Sequence, residues 1–331
     1  MTSTLFITGA TSGFGEACAR TFAQAGWKLV LTGRREERLN ALCEELSQHT
    51  EVHGLVVDVR DRAAMEHAIA NLPPSFSKLR GLINNAGLAL GTDPAPKCDL
   101  DDWETMVDTN IKGLIYTTRL LLPRLIAYGR GAGIVNLGSV AGSYPYPGSH
   151  VYGGTKAFVK QFSLNLRCDL QGTGVRVSNV EPGLCESEFS LVRFAGDQAR
   201  YDATYQGAEP IQPQDIADTI FWVLNTPAHI NINRLELMPV TQSWSGFAIE
   251  RRAKSAAPDR RPLPTRCHRP ARRRSYRELR PASIPTRCRA CRTAPTDWAG
   301  TRRPCWWPGG RRRARCRVQI SRNGQIGRAH V

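Results

Sequence analysis

The chain has 331 residues and a formal net charge of +16, but the excess of positive over negative charge lies wholly in the C-terminal part. Residues 1–252 carry 23 Lys+Arg against 26 Asp+Glu, whereas residues 253–331 carry 22 against 3. The mildly acidic first part therefore argues against nucleic acid as its partner, and it is long enough for one sizeable core. It has no apolar run that could span a membrane and no disulfide framework, so we expect a cytoplasmic domain.

Apolar strands alternate with helices along residues 1–252. The predicted strands cover residues 4–8, 27–32, 52–57, 81–84, 133–137, 175–180 and 234–237. The first predicted helix follows the first strand and ends near residue 26. The others cover residues 36–48, 61–71, 101 into the 120s, 152–170 and 213–225, and the segment before the last helix is expected to be irregular. This pattern predicts an α/β fold, a single-domain, Rossmann-like doubly wound parallel sheet with helices on both faces. Its ligands are expected at the carboxyl ends of the strands.

A glycine-rich turn, Thr8-Gly-Ala-Thr-Ser-Gly-Phe-Gly15, joins the first strand to the first helix. Gly9 permits a tight turn, while Gly13 and Gly15 let the backbone and the helix N-terminus approach a pyrophosphate. We therefore predict a dinucleotide site that uses every residue of this turn after Thr8: Gly9, Ala10, Thr11, Ser12, Gly13, Phe14 and Gly15.

The end of the second strand predicts which dinucleotide binds. An acidic residue there would bond the ribose 2′-hydroxyl of NAD, but the chain places Arg34 and Arg35 there. Two guanidinium groups suit a 2′-phosphate, so we predict NADP; the alternative is a solvated basic turn. After the third strand we assign Asp58 and Val59 to the adenine. After the fourth we assign three small or amide residues to the nicotinamide ribose: Asn85, Ala86 and Gly87.

Tyr152 and Lys156 are four residues apart, and a helix would place them on one face, one turn from each other. A tyrosine titrates near ~10, too high for proton transfer at neutral pH, and a nearby ammonium lowers that pKa. The pair therefore predicts that Tyr152 is a general acid/base tuned by Lys156. Taken alone, the same pair is also consistent with an ordinary surface helix.

In their order and spacing, TGxxxGxG, NNAG, a serine after the fifth strand and YxxxK resemble the short-chain dehydrogenase/reductase family over about residues 3–252. The resemblance implies a catalytic set at Asn110, Ser139, Tyr152 and Lys156. It implies that Tyr152 exchanges the proton of the substrate hydroxyl while Ser139 hydrogen-bonds the same oxygen. Lys156 would bind the nicotinamide ribose, and Asn110 would hold a water that relays protons to Lys156.

The segment after the sixth strand matches the family's PGxxxT motif, with Ser187 in place of the threonine. The resemblance implies that the Ser187 hydroxyl bonds the nicotinamide carboxamide. It adds Pro182 and Gly183 to the cofactor site, and it implies no metal ion.

The segments at 84–91, 102–106, 156–167, 181–184, 188–194 and 237–240 are similar to one branch, the NADP-dependent 3-hydroxy acid dehydrogenases. This implies oxidation of small hydroxy acids such as L-allo-threonine, L-serine or 3-hydroxypropionate, or reduction of semialdehydes such as malonic semialdehyde. Such substrates carry a carboxylate, so we predict that Arg193 contacts it while Ser139 and Tyr152 hold the reacting oxygen. A surface or interface arginine is the alternative role of Arg193.

The resemblance also implies a homotetramer. Two alternative functions are a reductase of another alcohol or ketone class and a catalytically silent NADP-binding sensor. The sensor would need one of the four catalytic positions to be lost, and none is.

Residues 253–331 have a composition unlike that of an evolved protein. Of the 22 basic residues 21 are Arg, there are nine Pro and five Cys, and only seven residues are Leu, Ile, Val or Phe. Such a segment cannot bury enough surface to fold alone, so we expect disorder. GC-rich DNA read out of frame has this composition, and a common sequencing-adapter string can encode the last residues, 325–331. We interpret the segment as a frameshift near residue 252 followed by adapter read-through.

Two functional alternatives exist for this C-terminal segment. Its arginine clusters at 272–274 and 311–313 could bind nucleic acid without sequence preference, which retention on DNA with and without the segment would test. A zinc site could form from cysteine and histidine, but the spacing is irregular and no second CxxC follows. The residues concerned are Cys267, His268, Cys288, Cys291 and Cys305.

Overall fold

The computed structural model describes residues 3–243, so the predictions for residues 253–331 lie outside the described residues. Seven strands form one parallel sheet in the order β3-β2-β1-β4-β5-β6-β7. They are β1 Thr4–Ile7, β2 Lys28–Gly33, β3 Val52–Val56, β4 Leu79–Asn84, β5 Gly133–Leu137, β6 Arg176–Pro182 and β7 Arg234–Leu237. The chain runs outward from β1 to β3, returns to β4 beside β1, and then continues outward in the other direction.

Nine α-helices connect the strands of residues 3–243. They are α1 Gly13–Gln24, α2 Glu36–Leu46, α3 Arg62–Ala70, α4 Leu100–Val107, α5 Leu114–Tyr128, α6 His150–Asp169, α7 Glu188–Arg193, α8 Gln198–Tyr205 and α9 Pro213–Asn225. In this part of the chain no helix is long and apolar enough to cross a lipid bilayer.

The strands bury apolar side chains on both faces of the sheet. Along β1, Leu5 and Ile7 belong to one core cluster, while Phe6 between them belongs to another. This alternation follows from the two-residue period of a strand. Helices α1, α2 and α9 cover the first cluster, and helices α3, α5 and α6 cover the second. The predicted doubly wound sheet is confirmed.

The strand order reverses between β1 and β4, because the chain continues from β1 toward one edge of the sheet and from β4 toward the other. Their backbones stay linked at that point, because the Thr8 amide donates to the Ile83 carbonyl at 3.0 Å. Such a reversal opens a crevice at the carboxyl edge of a parallel sheet. The glycine-rich turn after β1 and Asn85 after β4 lie on this edge.

Two regions differ from the prediction. The segment expected to be irregular before α9 contains the short helices α7 and α8, which lack the long apolar stripe that makes a helix visible in a sequence. The predicted long helix from residue 101 is divided into α4 and α5 by a π-helical turn, Asp108–Gly113. The other predicted elements agree with the structure to within two residues at their ends.

Candidate active site

A cavity of about 620 Å³ lies at the carboxyl edge of the sheet, along the ends of strands β1 to β6. Most of the predicted site residues line it. They are Gly9, Thr11, Ser12, Gly13, Phe14, Arg34, Arg35, Val59, Asn85, Ala86, Gly87, Ser139, Tyr152, Lys156, Pro182, Gly183, Ser187 and Arg193. Residues from the ends of six strands and from helices α6 and α7 therefore meet around one space.

Four predicted residues do not line the cavity. Ala10 is fully buried in the core, and Gly15 packs under the turn against Gly9 and Asn85. The Asp58 carboxylate turns toward Arg60, which donates to it from Nη2 at 2.7 Å. Asn110, the fourth, is also buried. Ala10 and Gly15 thus shape the turn, while the carboxylate of Asp58 is taken up by an ion pair.

The glycine-rich turn has the backbone that its sequence predicts. Gly9 and Gly13 have φ values of 66° and 55°, which disfavour any residue with a Cβ. A Cβ on Gly9 would lie 2.9 Å from the Ala86 Cα, so the turn after β1 and the turn after β4 touch here. A Cβ on Gly13 would lie 3.7 Å from the Cβ of Ser187 across the cavity. The turn thus leaves a backbone-lined channel at the start of α1, which fits a pyrophosphate.

Arg35 is anchored to the glycine-rich turn. Its Nη2 donates to the Thr11 carbonyl oxygen at 3.1 Å and its Nε to the Thr11 hydroxyl at 3.3 Å. Arg34 is more exposed, and its Nη1 lies 3.7 Å from a carboxylate oxygen of Asp58. Both guanidinium groups stand at the mouth of the channel at the end of β2, where a 2′-phosphate would need them.

Sequence reasoning missed two charged residues at this mouth. Arg38 lies one turn after Arg35 on α2, and Glu188 begins α7. The Glu188 carboxylate accepts from Arg35 Nη1 at 3.0 Å and from Arg38 Nη1 at 2.7 Å. The spacing of Arg35 and Arg38 along α2 could have revealed Arg38. Glu188 is 150 positions away from Arg38 in the sequence, so no local pattern could have revealed this contact.

Tyr152 is almost fully buried near the start of α6, and the side chain of Ser139 lies near its hydroxyl. Burial raises the pKa of Tyr152 well above its ordinary value, and the Tyr146 hydroxyl raises it further. The Ser139 side chain and the charge of Arg193 oppose this rise without reversing it. The prediction that Lys156 lowers the pKa of Tyr152 is therefore wrong for this structure, in which that pKa is raised.

The Lys156 side chain explains this difference. Its Nζ donates to the carbonyl oxygen of Leu137 at 2.8 Å and lies 5.8 Å from the centre of the Tyr152 ring. Burial lowers the pKa of Lys156 itself to about 8, because the ammonium has left water without gaining a carboxylate partner among the described residues. The Leu137 carbonyl at the end of β5 thus fixes the ammonium behind Tyr152.

Asn110 lies in the π-helical turn, a feature that often marks functional sites. Its Oδ1 accepts from the Leu88 amide at 2.8 Å, and its Nδ2 donates to the Leu88 carbonyl oxygen at 2.8 Å. A Cβ on Gly87 would lie 3.2 Å from Asn110 Oδ1 and 3.5 Å from Lys156 Nζ. The bare glycine therefore leaves a small polar gap between Asn110 and Lys156.

Arg193 ends α7 and reaches over the Tyr152 ring, with the guanidinium carbon 5.8 Å from the ring centre. Its Nη1 donates to the Tyr146 hydroxyl at 3.0 Å, and its Nε donates to the Gly91 carbonyl oxygen at 3.3 Å. Among residues 3–243 no carboxylate forms an ion pair with Arg193. The structure thus brings a cation to the expected place. Sequence reasoning missed Tyr146, which lies six positions before Tyr152.

Comparison with known proteins gives close relatives. The profile of the short chain dehydrogenase family matches residues 3–196. Sulfoacetaldehyde reductase 2 of Chromohalobacter salexigens is 61% identical over 251 residues, which are 76% of this chain and 100% of the relative. Serine 3-dehydrogenase of Agrobacterium fabrum is 58% identical over 251 residues, which are 76% of this chain and 99% of the relative.

A solved structure agrees with these relatives. The closed form of a serine dehydrogenase complexed with NADP⁺ is 52% identical, with a TM-score of 0.72, and the alignment covers 75% of this chain and all of that one. The predicted family and the predicted oxidoreductase class are confirmed. The parallel sheet, the glycine-rich turn, the Ser139–Tyr152–Lys156 cluster and these similarities lead to one conclusion: the chain belongs to the short-chain dehydrogenase family.

Proposed function

We propose that this protein transfers hydride between NADP(H) and the alcohol or carbonyl carbon of a small 3-hydroxy acid. The substrates would be of the L-allo-threonine, L-serine or 3-hydroxypropionate/malonic semialdehyde type. One observation carries the proposal: Ser139, Tyr152 and Arg193 line the same cavity as the glycine-rich turn, with Arg193 over the Tyr152 ring. The relatives support it, because one is named serine 3-dehydrogenase and one is a serine dehydrogenase solved with NADP⁺.

The residues of the cavity fit an NADP molecule. The turn with Gly9 and Gly13 would hold the pyrophosphate, and Arg34 and Arg35 would hold the 2′-phosphate. The nicotinamide end would lie near Asn85, Ala86, Gly87, Pro182, Gly183 and Ser187, where the cavity approaches Tyr152. When bound, NADP(H) supplies or accepts the hydride.

Tyr152 would move the proton of the reacting oxygen. In oxidation it removes the hydroxyl proton as the carbonyl forms, and in reduction it returns a proton to the oxygen. Ser139, which lies near the Tyr152 hydroxyl, would bond the same oxygen and stabilise its developing charge. Lys156 would bind the nicotinamide ribose, and the gap at Gly87 between Asn110 and Lys156 would admit the relay water.

Arg193 would bind the acid group of the substrate. Its guanidinium lies over the Tyr152 ring without a carboxylate partner among the described residues, so its charge is available to an anion. The Tyr146 hydroxyl holds the guanidinium in place. If the acid group of the substrate bound there, C3 of the substrate, which carries the hydroxyl group, would lie near Tyr152.

Steady-state kinetics of the purified chain test this proposal. We expect NADP⁺ reduction with L-allo-threonine, L-serine or 3-hydroxypropionate, and much weaker reduction of NAD⁺. Silence on all three acids with intact NADP⁺ binding would contradict the substrate class. In that case the alternative, a short-chain reductase of another alcohol or ketone class, would take its place.

A second candidate substrate is a small sulfonate. The sulfoacetaldehyde reductase relative is 61% identical, and Arg193 would attract a sulfonate as well as a carboxylate. Reduction of sulfoacetaldehyde with NADPH, compared with malonic semialdehyde at equal concentration, separates the two. A kcat/KM ratio that favours the sulfonate would make it the preferred substrate.

We also propose a cytoplasmic homotetramer. The five cysteines of residues 3–243 are free thiols, the state that a reducing compartment maintains. Leu100 on α4, Ile126 on α5 and Trp222 on α9 are exposed large apolar side chains that subunit contacts would cover. Sedimentation of the full chain tests the assembly, and a monomer at micromolar concentration would contradict it.

A further inference from the structure

Glu188 forms a bridge between α7 and the arginines at the mouth of the cofactor channel. One carboxylate oxygen lies 3.0 Å from Arg35 Nη1 and the other 2.7 Å from Arg38 Nη1. Arg35 in turn is held by both the carbonyl and the hydroxyl of Thr11 in the glycine-rich turn. The bridge therefore runs from the turn through Arg35 to α7, and all three charged side chains remain partly exposed.

The bridge uses Arg35, one of the guanidinium groups that the 2′-phosphate of NADP(H) would need, together with its neighbour Arg38. Arg35, Arg38 and Glu188 together carry one net positive charge, whereas the two arginines alone carry two. A phosphate monoester brings nearly two negative charges and three acceptor oxygens, so it can replace a carboxylate with one charge. NAD(H) has a hydroxyl at this position and would leave the bridge intact.

We propose that Glu188 is a determinant of coenzyme discrimination, because its carboxylate competes with the 2′-phosphate of NADP(H) for Arg35 and Arg38. The inference rests on the proposed cofactor. Glu188 keeps its negative charge, since burial, which alone would raise its pKa, is outweighed by the hydrogen bonds from Arg38 and Arg35. Helix α7 begins at Glu188 and ends at Arg193. The bridge therefore also connects Arg35 and Arg38 to the helix that carries Arg193, the proposed contact for the acid group of the substrate.

The Glu188→Gln variant tests the competition in a binding experiment that does not depend on turnover. Calorimetric titration of the full chain with NADP⁺, NAD⁺ and adenosine 2′-monophosphate gives the three dissociation constants. An exposed ion pair is worth about 0–1 kcal/mol, so we expect the variant to bind NADP⁺ and adenosine 2′-monophosphate about two- to fivefold more tightly. The dissociation constant for NAD⁺ should be unchanged.

Glu186→Gln is the matched control. Glu186 lies two residues earlier on the same segment, and its carboxylate accepts from Gln212 rather than from the arginines. It changes the net charge by the same amount, and we expect all three dissociation constants to stay at the wild-type values.

The outcomes distinguish the inference from the proposed function. Equal binding of NADP⁺ by wild type and Glu188→Gln, weaker binding by the variant, or an equal gain for NAD⁺ would each overturn the role of Glu188. A wild-type chain that binds neither NADP⁺ nor adenosine 2′-monophosphate would instead overturn the proposed cofactor, and the inference with it.

Discussion

Lys156 donates a hydrogen bond from Nζ to the carbonyl oxygen of Leu137 at 2.8 Å, so the end of β5 holds the ammonium beneath Tyr152. This position has an electrostatic consequence. Burial lowers the pKa of Lys156 from its ordinary 10.5 to about 8. At neutral pH the folded chain therefore keeps this ammonium out of water, whereas the unfolded chain leaves it hydrated. The residue proposed to tune catalysis therefore destabilises the fold.

Replacing Lys156 with methionine should stabilise the protein at pH 7 while it abolishes turnover. Between pH 8 and 10.5 the unfolded wild type binds more protons at this lysine than the folded one, so this contribution to the free energy of unfolding rises with pH. Removing the charge should add about 1–3 kcal/mol to the free energy of unfolding at pH 7, after the lost hydrogen bond is counted. The gain should shrink towards pH 10, and urea denaturation at pH 7, 8.5 and 10 measures it.

Lys160→Met is the control for this stability effect. Lys160 is one turn further along α6 and donates to the Ser143 hydroxyl at the surface side of the helix. We expect no stabilisation from this change. If Lys156→Met is less stable than wild type at pH 7, or if its gain in the free energy of unfolding is independent of pH, then the buried ammonium of Lys156 does not destabilise the fold.

Tyr152→Phe removes the proposed proton donor and acceptor but keeps the ring. The variant should lose about 10²–10⁴-fold in kcat, the usual range for general acid–base catalysis. Its dissociation constant for NADP⁺ should stay within about twofold of wild type, because the loss concerns proton transfer. Tyr201→Phe, on the exposed helix α8, serves as the control and should be fully active. A Tyr152→Phe enzyme with more than about a tenth of wild-type kcat would contradict the assignment.

Gly87→Ala tests the polar gap between Asn110 and Lys156. The new methyl group would lie 3.2 Å from Asn110 Oδ1 and 3.5 Å from Lys156 Nζ, so it would fill the space proposed for the relay water. We expect kcat to fall by about tenfold or more, since small misplacements at a reacting centre are costly. The added methyl group should lower the free energy of unfolding by about 1–3 kcal/mol, the usual cost of overpacking.

Gly154→Ala is the matched control for Gly87→Ala. A Cβ on Gly154 would meet nothing within 4 Å on the outer side of α6. That variant should keep full kcat and gain about 0.5–1 kcal/mol of stability from its better helix propensity. Full activity of Gly87→Ala would show that nothing essential occupies the gap.

Arg193→Gln tests the contact with the acid group. A hydrogen bond to a charged group is worth about 1.5–3 kcal/mol, so KM for the hydroxy acids should rise about 10- to 100-fold. The dissociation constant for NADP⁺ should be unchanged. Arg200→Gln, on the neighbouring helix α8 where the side chain donates to the Thr92 hydroxyl, is the control. An Arg193→Gln enzyme with wild-type KM for the acids would return Arg193 to a structural role.

Much of this architecture follows from local sequence patterns. The βα alternation and the buried strands predicted the sheet, because each strand and each long helix carries its own apolar period. The glycine-rich turn and Arg34-Arg35 predicted the cofactor channel, because the residues that approach a dinucleotide follow one another in the chain. Tyr152 and Lys156 were visible for the same reason.

The contacts that join distant segments were not predictable in this way. Glu188 meets Arg35 and Arg38 only because α7 folds back over the mouth of the channel, and α7 is too short for a clear helical period. The raised pKa of Tyr152 depends on its burial and on the direction of the Lys156 side chain, which the spacing of the two residues does not determine. The π-helical turn that presents Asn110 has no sequence signal of its own.

Transfer of deuterium from NADPH to the substrate carbon reports the proposed hydride transfer itself. The full chain is incubated with malonic semialdehyde and NADPH that carries deuterium at both positions of nicotinamide C4, and the product is analysed by mass spectrometry. We predict 3-hydroxypropionate with one deuterium on C3, formed by wild type and at least about 100-fold more slowly by Tyr152→Phe. NADPH oxidation that yields unlabelled product, or no product at all while NADPH binds, would contradict hydride transfer to a small hydroxy acid.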